Sequence, residues 1–428
     1  MNILIFTLGS RGDVQPYLAL AVGLQQAGHR VTLATSREFT PLIEAHGVGV
    51  YPLRFSLQAF MQQPENQAVL RGRNIFRQLR LLRVDIHAGM LQVLADFWEA
   101  AQTVDYVVAS SFGYNGVEVA GQRQRPLAYA FLAPFAPATR AFPSFLLPLR
   151  FSLGGGYNYL TYTLMLRAMW PTISGPLNAW RAAQLGLPPW RSIDQMLGAQ
   201  RGQDTAWLFG ISPSVLPKPP EWQGQHHVTG YWFLPPPPAW QPSTDLLRFL
   251  EGGPPPVYVG FGSLGPDEPE KQTRLILRAL ELSGQRGVLL TGGGALTRVG
   301  AAANVCYVDD VPHDWLFPRM AAVVHHGGAG TTAAGLRAGR PNLVTPFIGD
   351  QFAWAERVVK LGVGPAVGPV KKLSAEKLAQ AISTAVTDKA LRARATAFGE
   401  KIRAEDGVGA AIAIIERHAA DFRQSAVR

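Results

Sequence analysis

The first thirty-five residues constrain this chain more than any other stretch. An apolar run over residues 2–8 leads into the turn Gly9-Ser10-Arg11-Gly12-Asp13. A helical pattern follows over 14–27, stopped by Gly28, and a second apolar run covers 30–35. Strand, helix and strand in that order form a βαβ unit and hence a parallel sheet. Residues 104–109 and 126–130 read as later strands of that sheet.

Proline marks a boundary further on. Pro213, Pro217, Pro219 and Pro220 precede a run of four at 235–238, the composition of a stiff, extended connection. Beyond it the alternation restarts. Strands are expected over 257–261, 288–291, 305–308, 321–325 and 343–346. Helices are expected over 268–283, 331–338, 351–361, 375–387 and 391–404, with a last amphipathic stretch over 410–422. The fold class is therefore α/β: two doubly wound parallel-sheet domains with a cleft between them. The expected division is an acceptor-side domain at 1–215, a proline-rich linker at 216–240, a second domain at 241–408 and a terminal helix at 409–428. Ligands bind such sheets beyond the carboxyl ends of the strands. That rule singles out the loops at 9–13, 262–263, 292–294 and 325–332.

Composition agrees with two cores in 428 residues, 47% of them hydrophobic. A lone cysteine, Cys306, excludes an intrachain disulfide and fits a reducing compartment. No basic leader precedes the first strand, and no window holds about 18 uninterrupted apolar residues, so a cytoplasmic chain without a spanning helix is expected. Net charge is +10, and the first 200 residues hold 16 Arg, no Lys and 10 acids. No nucleic-acid motif accompanies that charge, so a nucleic-acid partner is not expected. Arg71, Arg73, Arg77, Arg80 and Arg83 alternate with Ile75, Leu79 and Leu82. They read either as the solvated face of a packed helix or as a helix lying on a membrane surface.

Three segments carry chemistry. His325-His326-Gly327-Gly328-Ala329-Gly330-Thr331-Thr332 follows an apolar strand and opens a helix, where glycines admit a ligand and free amides face it. A diphosphate fits there, with His326 and Thr331 as side-chain donors. The spacing matches neither a Walker loop nor a dinucleotide fingerprint, which counts against an oxidoreductase. Asp350 and Gln351 pair an acid with an amide, suited to neighbouring hydroxyls of a hexose, although Asp350 also reads as a helix cap. Asp13 sits at a helix start beyond the first strand. It reads as a general base or as a cap, and the helix N-terminus is expected to hold its pKa down. No Asp-x-Asp triplet or His/Cys metal set occurs. The expectation is thus no metal and no cofactor, with a leaving diphosphate stabilised by amides and hydroxyls.

Together these segments resemble the GT-B-fold, family 1 nucleotide-sugar glycosyltransferases, within the sterol-glucosyltransferase-like and bacterial natural-product branch. Gly9 to Pro16, Val311-Pro312-His313-Asp314-Trp315-Leu316, and His325 to Thr332 with Pro346 to Gln351 carry the likeness. The resemblance implies two Rossmann-like domains and an inverting, metal-independent hexosyl transfer from a nucleotide diphosphate sugar to a lipophilic hydroxyl. Asp13 would be the base. The backbone of Val311 would meet the nucleobase, with His313 near the ribose. His326, Gly328, Gly330, Thr331 and Ser263 would hold the diphosphate, and Asp350 and Gln351 the sugar. UDP-glucose is the first choice of co-substrate and a dTDP-sugar the second, because Asp310 and Ala334 stand where plant relatives carry Trp and Glu. An apolar acceptor (a sterol, flavonoid or polyketide) would meet Phe131, Phe135, Phe142, Phe145 and Tyr162, which read equally as core. A nucleotide-sugar 2-epimerase and a non-catalytic lipid- or nucleotide-binding protein are the rival readings.

Overall fold

The computed structural model describes residues 1–71, 77, 80–147, 151–202, 205–237, 239–262, 268–300 and 303–427. Two compact units form. One comprises Met1–Ser144, Ser152–Leu234 and Asp406–Arg428; the other comprises Phe145–Phe151 and Pro235–Glu405.

The first unit is a seven-stranded parallel sheet. Its strands are β1 (Asn2–Phe6), β2 (Arg30–Ser36), β3 (Gly49–Leu53), β4 (Tyr106–Ala109), β5 (Leu127–Phe131), β6 (Thr205–Phe209) and β7 (His226–Val228), in the order β3-β2-β1-β4-β5-β6-β7. β1 pairs with β2 on one side (Asn2↔Arg30) and with β4 on the other (Ile3↔Tyr106), so the order reverses at β1. Both faces of the sheet are covered, and the strands accordingly read as continuous apolar runs. Ile3, Ile5, Leu33, Val108, Ala128 and Leu208 join one buried cluster. The helix Arg11–Gln26 adds Val14, Tyr17, Leu18, Ala21 and Leu24 at spacings of three and four, one face of a helix.

The helix Gly407–Val427 completes that core. Ala411, Ile415 and Ala419 are buried in the same cluster, and His418 Nδ1 lies 2.6 Å from the Tyr106 hydroxyl. A Cβ on Gly23 would stand 2.4 Å from Val408 Cγ1, so the two helices cross where the first has no side chain.

The second unit is a five-stranded parallel sheet of β8 (Val257–Gly260), β9 (Gly287–Leu290), β10 (Val305–Val308), β11 (Ala322–His325) and β12 (Asn342–Val344), in the order β10-β9-β8-β11-β12. Its order reverses between β8 and β11, where Gly260 pairs with His325. The loops that leave these two strands, after Gly260 and after His325, are therefore neighbours at the switch point. Val257, Val259, Leu289, Val324 and Leu343 form the centre of its core.

Two features add to the sequence reading. Residues 155–185 form one 31-residue helix, Gly155–Leu185, that runs through Pro171 and Pro176. A proline inside a helix removes a backbone hydrogen bond and crowds the preceding turn. Burial of Ile173, Leu177 and Trp180 against Leu94, Ile193 and Met196 outweighs that cost here. The second is Phe145–Phe151, which packs with the second unit although it lies within 1–215.

Candidate active site

In the first unit, β1 ends at Phe6 and the chain turns through Gly9 into the helix Arg11–Gln26. Ser10 is the N-cap and Asp13 the third helical residue, and the two form a capping box. Asp13 Oδ2 accepts from the Ser10 N–H (2.8 Å) and from Ser10 Oγ (2.9 Å). Thr7 Oγ1 donates to the Asp13 carbonyl at 2.9 Å. Gly9 makes this possible: its φ is +133°, and a Cβ there would stand 2.4 Å from Asp13 Oδ2. Burial raises the Asp13 pKa above the ordinary carboxylate value, outweighing the downward pull of the Ser10 N–H and hydroxyl. The sequence expectation of a depressed pKa is corrected here, because desolvation exceeds the effect of the helix N-terminus.

In the second unit, the segment after β11 divides the work of the two histidines. His325 is fully buried. Its Nε2 lies 3.0 Å from Asn342 Oδ1, and its Nδ1 accepts the Gly327 N–H at 3.1 Å. Both bonds together require the neutral ring with the proton on Nε2. Burial accordingly lowers its pKa to about 3. His325 thus braces the loop and has no nitrogen left for a ligand. His326 faces the other way, and a Cβ on Gly262, in the loop after β8, would lie 3.2 Å from its Cε1. Burial lowers the His326 pKa to about 4, partly opposed by the Gly260 carbonyl. Among the described residues its Nδ1 is buried without a hydrogen-bond partner.

Gly327 follows with φ +95°, and a Cβ there would meet Val344 Cγ1 at 2.7 Å and the Gln351 carbonyl at 3.0 Å. Gly328 caps the helix Ala329–Arg337, whose first internal bond is Thr332 N–H to the Gly328 carbonyl. Among the described residues the N–H groups of Ala329, Gly330 and Thr331 have no acceptor. Three free amides at the start of a nine-residue helix present partial positive charge to an anion. Ser263 lies outside the described residues.

Asp350 opens the helix Gln351–Lys360, but its side chain does not cap it. Instead Asp350 Oδ2 accepts from Trp354 Nε1 at 2.9 Å, one helical turn on. Gln351 Oε1 accepts the Phe347 and Ile348 N–H groups at 2.7 and 3.2 Å, so its carbonyl end holds the loop and its amide nitrogen remains for donation. Val311 is buried, and among the described residues its backbone N–H and carbonyl make no hydrogen bond. His313 stacks on Phe317 with ring centroids 4.2 Å apart, and its Nε2 is 3.4 Å from the Tyr258 hydroxyl. No cluster of three or more His, Cys, Asp or Glu side chains able to hold a metal occurs among the described residues.

Of the five candidate acceptor residues, Phe131, Phe145 and Tyr162 are buried and Phe135 and Phe142 half-buried. Phe131 stacks between Trp207 (5.3 Å) and Phe209 (5.5 Å) on the sheet. Phe142 meets Trp222 edge-on at 6.4 Å, Phe135 is half-buried and Tyr162 is fully buried. Phe145 packs on Trp354 in the second unit. Phe131 is therefore a core residue by position, a consequence of β5 being covered on both faces. Of the cationic stretch, Arg77, Arg80 and Arg83 are exposed, while Arg73, Ile75 and Leu79 lie outside the described residues. No described helix is long and apolar enough to cross a membrane. Sequence reasoning missed the parts played by Ser10, Asn342 and Trp354. Asp350 and Trp354 stand four apart at a helix start, and that spacing is the signal that could have found the pair.

Comparison with known proteins follows the same division. The glycosyltransferase family 28 N-terminal domain matches residues 3–142, and the erythromycin biosynthesis protein CIII-like C-terminal domain matches 294–409. Sterol 3-beta-glucosyltransferase UGT80B1 of Arabidopsis thaliana is 36% identical over 425 residues, covering 98% of this chain and 68% of that protein. The sterol 3-beta-glucosyltransferase of Emericella nidulans is 34% identical over 430 residues; the chain spans about 30% of its length. Among solved structures, the spinosyn forosaminyltransferase SpnP superposes with TM-score 0.68 at 16% identity, covering 98% of this chain and 99% of that one. VinC, solved in complex with dTDP, superposes with TM-score 0.63 at 19% identity, covering 98% and 100%. Identity of about a third along nearly the whole chain, on two parallel sheets of this topology, places the chain among the GT-B-fold glycosyltransferases, in the sterol 3-beta-glucosyltransferase-like branch.

Proposed function

We propose that the chain transfers a hexose, glucose first, from a UDP-sugar to the hydroxyl of a lipophilic acceptor, with inversion and without a metal. The observation that carries this reading is the helix start at Ala329–Thr331, whose three unpartnered amides lie at the switch point of the second sheet. Those amides, with the Thr331 hydroxyl and His326, hold the diphosphate and stabilise the charge that grows on it as the glycosidic oxygen departs. A bound diphosphate also favours protonation of His326, whose lowered pKa leaves the ring neutral by itself. The backbone of Val311 pairs with the nucleobase, and His313 lies by the ribose. Asp350 accepts from sugar hydroxyls while the Gln351 amide donates. Asp13 removes the acceptor proton late, as the new C–O bond forms and the alcohol acidifies. Its raised pKa makes it a stronger base than an ordinary aspartate.

The test is a mass-spectrometric screen of UDP- and dTDP-sugars against pooled sterols, flavonoids and polyketides, run with wild type and Asp13→Asn. The substituted amide keeps an acceptor for the Ser10 N–H but cannot take a proton. Turnover is expected to fall by about 10²–10⁴ while donor affinity barely changes. Equal turnover in the two proteins would remove Asp13 from the chemistry. Release of nucleotide diphosphate only when acceptor is added would exclude an epimerase. A thymine donor is the second reading, favoured by the dTDP named for VinC.

A further inference from the structure

The side chain that fixes Asp350 is itself held from elsewhere in the sequence. Trp354 is fully buried and donates its indole N–H to Asp350 Oδ2 at 2.9 Å. Its ring takes the edge of Phe145, with centroids 5.1 Å apart and planes at 77°. That edge-to-face geometry adds orientation to the apolar contact. Phe145 is 2% exposed and lies in Phe145–Phe151, a segment of the first half of the chain that packs with the second unit. Asp350 meanwhile leaves its own helix uncapped, although capping is the ordinary use of an aspartate at that position. Its Oδ2 is thus engaged sideways, by the indole.

We propose that Trp354 and Phe145 are positioning residues that set the donor-sugar specificity of this site. With Oδ2 accepting from the indole, the Asp350 carboxylate is oriented, which narrows the directions from which it takes a sugar hydroxyl. An epimer that turns that hydroxyl away loses a bond to the carboxylate, which discriminates more strongly than lost apolar contact does. Phe145 holds the indole against rotation. A loop from the acceptor half of the sequence thereby influences which sugar is taken. This inference rests on the reading of Asp350 as a sugar ligand.

The experiment measures kcat/KM for UDP-glucose and for its C4 epimer, UDP-galactose, with the full chain and an acceptor found in the screen. Trp354→Phe keeps the apolar ring and removes the N–H. Phe145→Leu keeps apolar volume and removes the aromatic edge. Both are expected to lower the glucose-to-galactose ratio, Trp354→Phe by about tenfold and Phe145→Leu by less. Affinity for UDP itself, read by calorimetry, is expected to stay within about twofold. A ratio unchanged while both donors weaken equally would show Trp354 to be structural only and overturn the proposal. A wild-type chain that uses both epimers equally would overturn it too. Should Trp354→Phe fail to fold, Phe145→Leu carries the test alone. Asp350→Asn separates the two levels. If it leaves transfer untouched, the sugar-site reading itself fails. If it cuts transfer while Trp354→Phe leaves the ratio intact, only the positioning role fails.

Discussion

Replacing Gly9 by alanine addresses the geometry of the proposed base without touching its chemistry. Two penalties follow from the structure. At φ +133° a side chain is strained whatever the space, at about 1–3 kcal/mol. In addition, the new Cβ would stand 2.4 Å from Asp13 Oδ2, 2.8 Å from its Cγ and 2.9 Å from its Cβ. No rotation of the carboxylate alone relieves all three, so Asp13 has to swing away and release both Ser10 bonds. The released carboxylate is half-buried and can find water, so stability falls chiefly by the strain. For a unit of this size that lowers Tm by about 2–4 °C per kcal/mol. Catalysis falls further, because a base moved by more than about 1 Å loses its reach to the acceptor proton. The expected result is a kcat lower by at least about 100-fold, with affinity for UDP within about twofold of wild type.

Gly12→Ala is the matched control: a Cβ there would meet only Ser10 Oγ, at 3.7 Å, inside a helix where alanine is preferred. It is expected to keep turnover and gain a little stability. The assay is steady-state turnover beside calorimetric UDP binding and a thermal melt. Wild-type turnover in Gly9→Ala would refute the reasoning. So would parallel loss of turnover in Gly12→Ala, which would show that the turn tolerates no change at all.

Three further outcomes are expected. In kcat/KM against pH, the acid limb lies above the ordinary aspartate value, and Ser10→Ala moves it to still higher pH by removing a bond that favours the ionised Asp13; an unmoved limb would assign it to another group. His325 takes a proton only near pH 3 in the folded chain but near its ordinary 6.5 when unfolded, so between those values the unfolded state binds more protons and stability falls as pH falls. His325→Gln is expected to lessen that slope by about 1.4 kcal/mol per pH unit around pH 4–6, read from denaturant melts, and an unchanged slope would contradict the buried neutral ring. Gly327→Ala pushes a Cβ into Val344 and the Gln351 carbonyl and is expected to weaken UDP binding at least tenfold, whereas unaltered binding would detach this loop from the donor.

Much of this architecture was legible because parallel strands buried on both faces appear as short, unbroken apolar runs, and β1, β2, β8 and β11 each do so. The glycine turn into Ala329–Arg337 was legible for a related reason, since close backbone approach leaves glycine in the sequence. What could not be read were choices settled by packing. Pro171 and Pro176 look like helix breakers until Trp180 and Leu177 find a surface to bury against. Two adjacent histidines look interchangeable until Asn342 claims His325. Asp13 looks like a poor base at a helix start, because sequence reveals the helix but not the desolvation. Phe131 and Phe145 look alike in an aromatic list, yet one lies on a sheet of the first unit and the other on an indole of the second.

The helix Gly407–Val427 carries a consequence for how the molecule is made. Ala411, Ile415 and Ala419 fill the core around β1 and Arg11–Gln26, which leave the ribosome long before that helix does. Those elements wait, with an apolar groove uncovered, while the whole of Pro235–Glu405 is synthesised and folds. A nascent chain stalled after Glu405 would expose that groove to chaperones, and a fragment cut at Leu234 would need the distant helix supplied in trans before its sheet could close.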